Sequence, residues 1–420
     1  MIKKIIPKGE SSRNVLTLMT GTSIAQAIPI AISPILTRIY TPNDFGVYAL
    51  FISIAAIFGS IANARYEMAI MLPDRDEDAL NIAALGILIS TILSCALLVI
   101  VIFFNTSISI LLGNGNIGFW LYFIPFSVWM IGLFNVLKYY NNRQKNYKDI
   151  SRANIYKSLT SSTIQISIGL LKPGAAGLIS GQLVSGIVAN TKLLRNLFLN
   201  VNIKKTVTIK KMKRMAVEYI NFPKFSLWAV LANTLSSNLV NILISIYFSV
   251  TTLGLYSLVR RVLGIPTSLL GSSMGQVFYQ EASIEYKETG TVIKSFKSTF
   301  KKLCLISIIP FAVLYVMVAD LFVLVFGEKW MVAGEYAEIF IPLFLVMFIV
   351  SPLSLANLIN KKNKEIMLWQ FGLLIISIAI IVYCNYLGFS FSEMAVYMVG
   401  ILSLYYLWLL VITYIYVLRS

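Results

Sequence analysis

The sequence predicts an all-α membrane protein of about twelve transmembrane helices, arranged in two six-helix bundles. Three observations support this fold class: the composition, the regular recurrence of long apolar runs, and the distribution of Lys and Arg between those runs. Of the 420 residues, 58% are hydrophobic and 13% are charged, and the mean hydropathy is +0.79. Soluble domains carry about 25% charged residues, so the composition leaves no room for a large soluble catalytic domain.

Each predicted span is an apolar run that is long enough to cross the bilayer core, which takes about 20 helical residues. Backbone polar groups in lipid must be satisfied within the segment, and at these lengths that favours helices over strands. The first run is too long for the apolar region of a signal peptide and is interpreted as an uncleaved span. The spans are predicted at residues 15–39, 45–65, 79–104, 117–138, 154–171, 176–197, 223–248, 252–279, 299–326, 336–359, 366–387 and 393–418.

The distribution of the 35 Lys and Arg residues predicts the orientation of these spans. With the N-terminus inside, thirty of them, Lys157 included, fall in inside segments, and only Arg38, Lys172 and Lys329 fall in outside loops. A missed or invented helix would destroy this bias, so both termini are predicted to be cytoplasmic. The net charge of +17 then indicates the anionic inner face of the lipid bilayer as a partner, and no nucleic acid.

The chain is predicted to divide into an N-terminal bundle (residues 1–198), a basic cytoplasmic linker (199–222) and a C-terminal bundle (223–420). The linker is expected to lie on lipid headgroups, and the acidic run at 74–78 is expected to be a solvated inner loop. A short repeat supports the two halves: residues 45–50 (FGVYAL) resemble residues 253–258 (LGLYSL). Six spans per half predict parallel repeats.

Arginines at membrane depth are the strongest candidates for a binding site, because buried charges there are costly and usually face a cavity. Arg260 and Arg261 lie in span 8, about 12 Å along the helix. Neighbouring helix positions point in different directions, so one of them could face a cavity while the other packs. A guanidinium group suits an anion such as a pyrophosphate, which it grips through paired hydrogen bonds. Structural pairing with a polar neighbour is the alternative.

Four further residues are weaker candidates for substrate binding. Arg13 and Arg65 lie near the inside ends of spans 1 and 2, where they could equally anchor the topology. Gln26 in span 1 and Asn233 in span 7 could contact sugar hydroxyls or hold helices together.

The residue types argue against chemistry on this chain. Histidine is absent, which removes the commonest general base and a common metal ligand. The three cysteines, Cys95, Cys304 and Cys384, are scattered and have no metal-site spacing. No phosphate-binding GxxxxGK[ST] motif is present. We therefore expect no catalytic residues, no metal, no cofactor and no enzymatic activity.

Two stretches of the first half resemble a known family. Residues 21–26 (GTSIAQ) and 33–48 (SPILTRIYTPNDFGVY) resemble the N-terminal signature of Wzx-type polysaccharide flippases. These translocases belong to the multidrug/oligosaccharidyl-lipid/polysaccharide (MOP) exporter superfamily. Residues 65–67 (RYE), 254–266 and 326–334 resemble the family more loosely, so that the similarity extends over nearly the whole chain.

The resemblance implies two six-helix bundles around a central cavity, as in MATE transporters. It implies alternating access that moves an undecaprenyl-pyrophosphate-linked repeat unit, of O-antigen (lipopolysaccharide) or capsule type, from the inner to the outer leaflet of the bacterial inner membrane. On the pattern of related peptidoglycan lipid flippases, Arg13, Arg65 and Arg260 would serve the pyrophosphate, with Arg261 as the alternative to Arg260. Other polysaccharide assembly proteins are the further partners that it implies.

Two rival functions stay open at this point. A MATE-like drug or cation antiporter would share the fold, but it usually needs a carboxylate in the membrane, and none is obvious in spans 1 and 7. A polytopic polysaccharide polymerase or ligase would carry catalytic residues on a large outside loop, whereas the predicted outside loops are short.

Overall fold

The computed structural model describes residues 10–113, 115–200, 206–360 and 362–419. Helices make up nearly all of this part of the chain, so the all-α prediction is confirmed. The helices are α1 (Glu10–Ile39), α2 (Pro42–Ile61), α3 (Tyr66–Ala69), α4 (Asp76–Leu111), α5 (Gly118–Leu121), α6 (Ile124–Arg143), α7 (Tyr147–Leu171), α8 (Ala176–Asn200), α9 (Ile209–Glu218), α10 (Leu227–Tyr247), α11 (Val250–Pro266), α12 (Ser272–Thr289), α13 (Ile293–Phe326), α14 (Met331–Leu353), α15 (Ala356–Ile359), α16 (Asn363–Tyr386) and α17 (Phe391–Arg419).

Nine helical segments of the described residues are long and apolar enough to cross a membrane. This establishes a multi-pass membrane protein. The predicted spans at 154–171, 176–197 and 252–279 are also helical, but they carry more polar residues and fall outside this set. The count of twelve and the cytoplasmic position of both termini therefore remain predictions.

The chain forms two units. The first runs to Tyr40 and continues through Val47–Thr234; the second consists of Thr41–Gly46 with Leu235–Ser420. The first turn of α2 thus belongs with the second unit, and the first third of α10 belongs with the first unit.

In the first unit, α7 packs between α1 and α8, and a proline determines one contact. Pro29 lies inside α1 and has no N–H, so the carbonyl of Ala25 loses its intrahelical donor. Ser158 of α7 donates its hydroxyl to that carbonyl at 2.7 Å. In a membrane helix the carbonyl would otherwise lack a partner, so this hydrogen bond links α1 to α7 near the middle of α1.

Small residues let α7 and α8 approach each other closely. A Cβ atom on Gly181 would lie 2.8 Å from the Ser161 carbonyl oxygen, and one on Gly177 would lie 3.1 Å from the Gln165 carbonyl oxygen. Gly177 and Gly181 therefore serve the packing of these two helices.

The linker helix α9 packs on the N-terminal end of α4. Lys211 and Arg214 pair with Glu77 (2.9 Å) and Asp78 (2.7 Å), and the Met215 side chain is 2% exposed in the core below. The acidic run is thus part of an interface, whereas the sequence alone predicted a solvated loop and a linker on lipid headgroups. Lys210 and Lys213 of α9 are exposed, and Arg214 is exposed beside its ion pair.

In the second unit, α14 is the central helix and packs against α11, α13 and α17. Its buried aromatic side chains fill the core of the unit: Phe340 lies 5.2 Å from the Tyr256 ring and Phe348 lies 5.9 Å from the Phe311 ring. This packing fixes α11, and with it the two arginines of predicted span 8.

Candidate substrate-binding residues

Arg260 lies on α11 and points toward a polar row on α10 that includes Ser237 and Asn241. Its Nη1 atom donates to the carbonyl of Ser237 (3.0 Å) and to Oδ1 of Asn241 (3.3 Å). The guanidinium carbon lies 5.8 Å from the centre of the Tyr256 ring. Arg260 is half-buried, so these contacts hold the charge beside neutral oxygens and leave part of the guanidinium accessible. An oxyanion could then take the remaining N–H groups in a paired geometry.

Arg261 occupies a different environment. Its guanidinium carbon lies 5.8 Å from the centre of the Phe45 ring, and Phe45 in turn packs edge-on against Trp330 at 4.9 Å. Phe45 and Trp330 are both buried. The two arginines therefore diverge as their 100° separation requires: Arg260 lies by the polar row and Arg261 lies on an aromatic pair.

Two glycines of the internal repeat explain how the first turn of α2 comes so close to α11. A Cβ atom on Gly254 would lie 1.7 Å from the Pro42 carbonyl oxygen and 2.8 Å from the Gly46 nitrogen; one on Gly46 would lie 1.8 Å from the Val250 carbonyl oxygen. Gly46 and Gly254 occupy the same position in the two repeat sequences, FGVYAL and LGLYSL. In both copies, the repeated glycine therefore lies where α2 and α11 cross within the second unit.

Arg65 is held by a buried carboxylate in the first unit. Its Nη1 atom lies 3.0 Å from Oε1 of Glu67, and its Nε atom donates to Ser226 Oγ at 3.4 Å. The Arg65 and Glu67 side chains are 17% and 3% exposed. Burial raises the pKa of the Glu67 carboxyl above its ordinary value, and the Arg65 charge opposes that rise. Arg65 therefore compensates a buried acid, whereas the sequence offered only an anchor or a binding residue.

The backbone at Arg65 is unusual as well. Ala64 and Arg65 have φ values of 48° and 67°, a left-handed conformation that residues other than glycine seldom adopt. The two residues turn the chain from α2 into α3. Such strain persists where the surroundings determine it, and the contacts with Glu67 and Ser226 do so here.

The remaining candidates all belong to the first unit. Gln26 on α1 and Asn233 on α10 are both exposed and lie in the first unit. Arg13 lies near the start of α1, and its side chain is outside the described residues. Arg65, Gln26 and Asn233 thus belong to the first unit, and Arg260 and Arg261 to the second. Among the described side chains, no cluster of His, Cys, Asp or Glu could hold a metal ion.

One cation that lines a cavity was missed by the sequence reasoning. Lys157, counted with the inside segments, lies ten residues into α7 and lines a cavity of about 160 Å³ within the first unit. Its position only three residues inside the predicted span at 154–171 was the available signal.

Comparison with known proteins decides the family. The profile of a family described as "Polysaccharide biosynthesis protein" matches residues 35–335, well over half of the chain. The chain belongs to this family. The predicted resemblance to a polysaccharide biosynthesis family is thereby confirmed.

One relative of known role is the teichuronic acid biosynthesis protein TuaB of Bacillus subtilis (strain 168), which is 25% identical over 160 residues. The match covers 38% of this chain and 33% of TuaB, so it spans about a third of the relative's length.

Solved structures show the fold. The lipid II flippase MurJ in an inward closed conformation superposes with a TM-score of 0.70 at 13% identity, over 96% of this chain and 87% of MurJ. An inward-facing multidrug resistance MATE transporter of the MOP superfamily gives 0.64 at 13% identity, over 96% and 94%. A MOP transporter from Pyrococcus furiosus, described as having a binding pocket of reverse polarity, gives 0.62 at 12% identity, over 98% and 96%. The MATE/MOP-like fold prediction is confirmed, and these likenesses carry no function.

Proposed function

We propose that this protein is a flippase that moves a lipid-linked oligosaccharide, joined to undecaprenyl through a pyrophosphate, from the inner to the outer leaflet of the bacterial cytoplasmic membrane. The observation that carries the proposal is the family match over residues 35–335 in a chain with the MOP transporter fold. A polysaccharide assembly pathway with a lipid carrier needs one step that crosses the membrane, and a multi-pass protein of this family suits that step.

The contacts of Arg260 support an anionic substrate. A guanidinium placed within a membrane span costs several kcal/mol unless it is solvated or paired. Arg260 donates to neutral acceptors, the Ser237 carbonyl and the Asn241 amide oxygen, and takes part in none of the ion pairs among the described side chains. A pyrophosphate would supply the missing negative charge together with a geometry that suits the guanidinium fork.

Arg65 has a different part in this proposal. Its guanidinium already pairs with the Glu67 carboxylate, so a phosphate could bind Arg65 only by displacing that carboxylate or by sharing the guanidinium with it. We propose that Arg260 is the principal pyrophosphate contact and that Arg13, Arg65, Arg261, Gln26 and Asn233 contribute less. Alternating access of a six-helix bundle at residues 1–198 and another at 223–420 is the mechanism that we propose, with residues 199–222 as the linker.

Removing the gene tests the proposed function in the cell. We expect lipid-linked repeat units to accumulate in the inner leaflet and the surface polysaccharide to disappear, with restoration by the wild-type gene. An antiporter would give another result: surface polysaccharide would persist unchanged, and sensitivity to cationic drugs would rise. A polymerase or ligase would let single repeat units reach the outer leaflet and accumulate there.

A further inference from the structure

Four polar side chains converge on the small cavity inside the first unit. Ser127 and Asn135 come from α6, Lys157 from α7 and Gln182 from α8. None of these side chains donates to, or accepts a hydrogen bond from, another protein group in the part of the chain that the structure describes. Polar side chains in a protein interior are nearly always hydrogen-bonded. Ser127 is buried and Asn135, Lys157 and Gln182 are half-buried, so their hydrogen bonds are made with what fills the cavity.

The cavity lies beside apolar helices of the first unit. Ser127 and Asn135 belong to the candidate membrane span Gly118–Arg143, and Lys157 lies three residues inside the predicted span at 154–171. The next residue along, Ser158, bonds to the carbonyl of Ala25, which belongs to the candidate span Thr20–Ile39.

The ammonium group of Lys157 has an attractive contact but no negative partner. Its Nζ atom lies 5.2 Å from the centre of the Phe134 ring, a cation–π contact. Lys157 takes part in none of the ion pairs among the described side chains. The one acidic residue whose side chain is outside that part, Glu10, precedes Ala25 by fifteen positions, or about 22 Å of helix.

Neighbouring charges do not reach the cavity either. On the inside, Asp149 is already paired with Lys192 at 2.9 Å and lies eight residues before Lys157 on α7. Lys138 of α6 is exposed. Among the described side chains, the helices that surround the cavity thus leave the Lys157 ammonium without an ion pair.

We infer that this cavity, formed by Ser127, Asn135, Lys157 and Gln182, binds a small inorganic anion. The donor set suits this ligand: one ammonium for charge, with two amide N–H₂ groups and one hydroxyl as further donors. A volume of about 160 Å³ is room for about five waters at 30 Å³ each, so a halide or a single inorganic oxyanion fits and a lipid-linked glycan does not. The inference is independent of the proposed transport substrate.

Anion-dependent stability of the full-length protein tests the site. The unfolding midpoint of the purified protein in detergent would be followed by tryptophan fluorescence while sodium chloride replaces sodium gluconate at constant ionic strength. Binding to the folded state alone raises the midpoint, so we expect a saturable increase for the wild type. Lys157→Met should abolish the increase, and Lys138→Met, which removes an exposed lysine from the same unit, should retain it.

Further arms keep the result interpretable. Asn135→Leu and Gln182→Leu should weaken the chloride response several-fold without removing the charge, and they serve if Lys157→Met does not fold. Inorganic phosphate, tested in place of chloride, distinguishes a halide site from an oxyanion site, and either response supports the inference. A wild-type midpoint that is equal in chloride, phosphate and gluconate would overturn it, because the cavity would then hold water only. So would a response confined to a polyprenyl pyrophosphate, or one that survives in Lys157→Met.

Discussion

Replacing Gly254 by alanine should destabilise the second unit through one contact. The new Cβ atom would lie 1.7 Å from the Pro42 carbonyl oxygen, whereas nonbonded heavy atoms sit about 3.5 Å apart. The first turn of α2 and α11 would have to separate by about 1.5–2 Å. Overpacking of this kind costs about 1–3 kcal/mol. Backbone atoms form the clash, so no side-chain rotation can relieve it.

Gly264 gives a matched control on the same helix. A Cβ atom there would meet only Phe344 Cε1, at 4.0 Å. Alanine is favoured over glycine in a helix by about 0.5–1 kcal/mol, so Gly264→Ala should be neutral or slightly stabilising. The two substitutions add the same methyl group and the same gain in helix propensity, so the free energies of unfolding of the two variants should differ by the overpacking cost, about 1–3 kcal/mol.

Reversible unfolding in mixed micelles of mild detergent and sodium dodecyl sulfate would measure this difference. Gly254→Ala should lower the midpoint and Gly264→Ala should not. Equal midpoints for the two variants would show that the close crossing of α2 and α11 does not exist in the protein, and the explanation of the FGVYAL and LGLYSL repeat would fail with it.

Three further predictions concern the first unit. Arg65→Gln should cost about 3 kcal/mol in unfolding free energy because it leaves the Glu67 carboxylate buried and unpaired, and adding Glu67→Gln should recover most of it; an additive double variant would contradict this. Ser158→Ala should cost about 1 kcal/mol through the orphaned Ala25 carbonyl, but nothing in a Pro29→Ala background, where the backbone N–H returns. Lys211 lowers the pKa of Glu77, so docking of α9 should be intact above the ordinary glutamate pKa of 4.5 and should weaken as the pH falls through the lowered value. A spin label at position 213 should gain mobility over that pH range. Lys211→Met should remove this dependence of the mobility on pH.

Hydropathy predicted the helical spans because it acts along the chain, through the length of each apolar run. Every predicted span is helical in the structure. The docking of α9 was not predictable in this way, since Met215 and the partners Glu77 and Asp78 are far apart in sequence. From the sequence alone, anionic lipid headgroups and protein carboxylates are equally good partners for a basic helix.

The candidate residues show the same limit. The depth of Arg260 and Arg261 followed from counting along span 8, and the structure added which one meets the polar row of α10 and which meets Phe45. The sequence shows that an acidic residue, Glu67, lies two positions after Arg65. It does not show that Glu67 is buried, because burial is a property of the tertiary structure. Arg65 therefore looked like an anchor. Lys157 was missed because a lysine three residues inside a predicted boundary is indistinguishable from a loop lysine until α6 and α8 enclose it.

Leaflet exchange in proteoliposomes tests the central claim most directly. The purified protein would be reconstituted with an undecaprenyl-pyrophosphate saccharide whose sugar carries a fluorophore that external dithionite quenches. The wild type should make the inner-leaflet pool accessible. Arg260→Gln should slow this exchange about 10- to 100-fold, the loss expected for a charge-assisted hydrogen bond, and Arg260→Lys should retain an intermediate rate because it keeps the charge without the fork. The exposed control Lys329→Gln should exchange at the wild-type rate. An inner pool that stays protected with the wild-type protein, or an Arg260→Gln variant as fast as the wild type, would contradict the account.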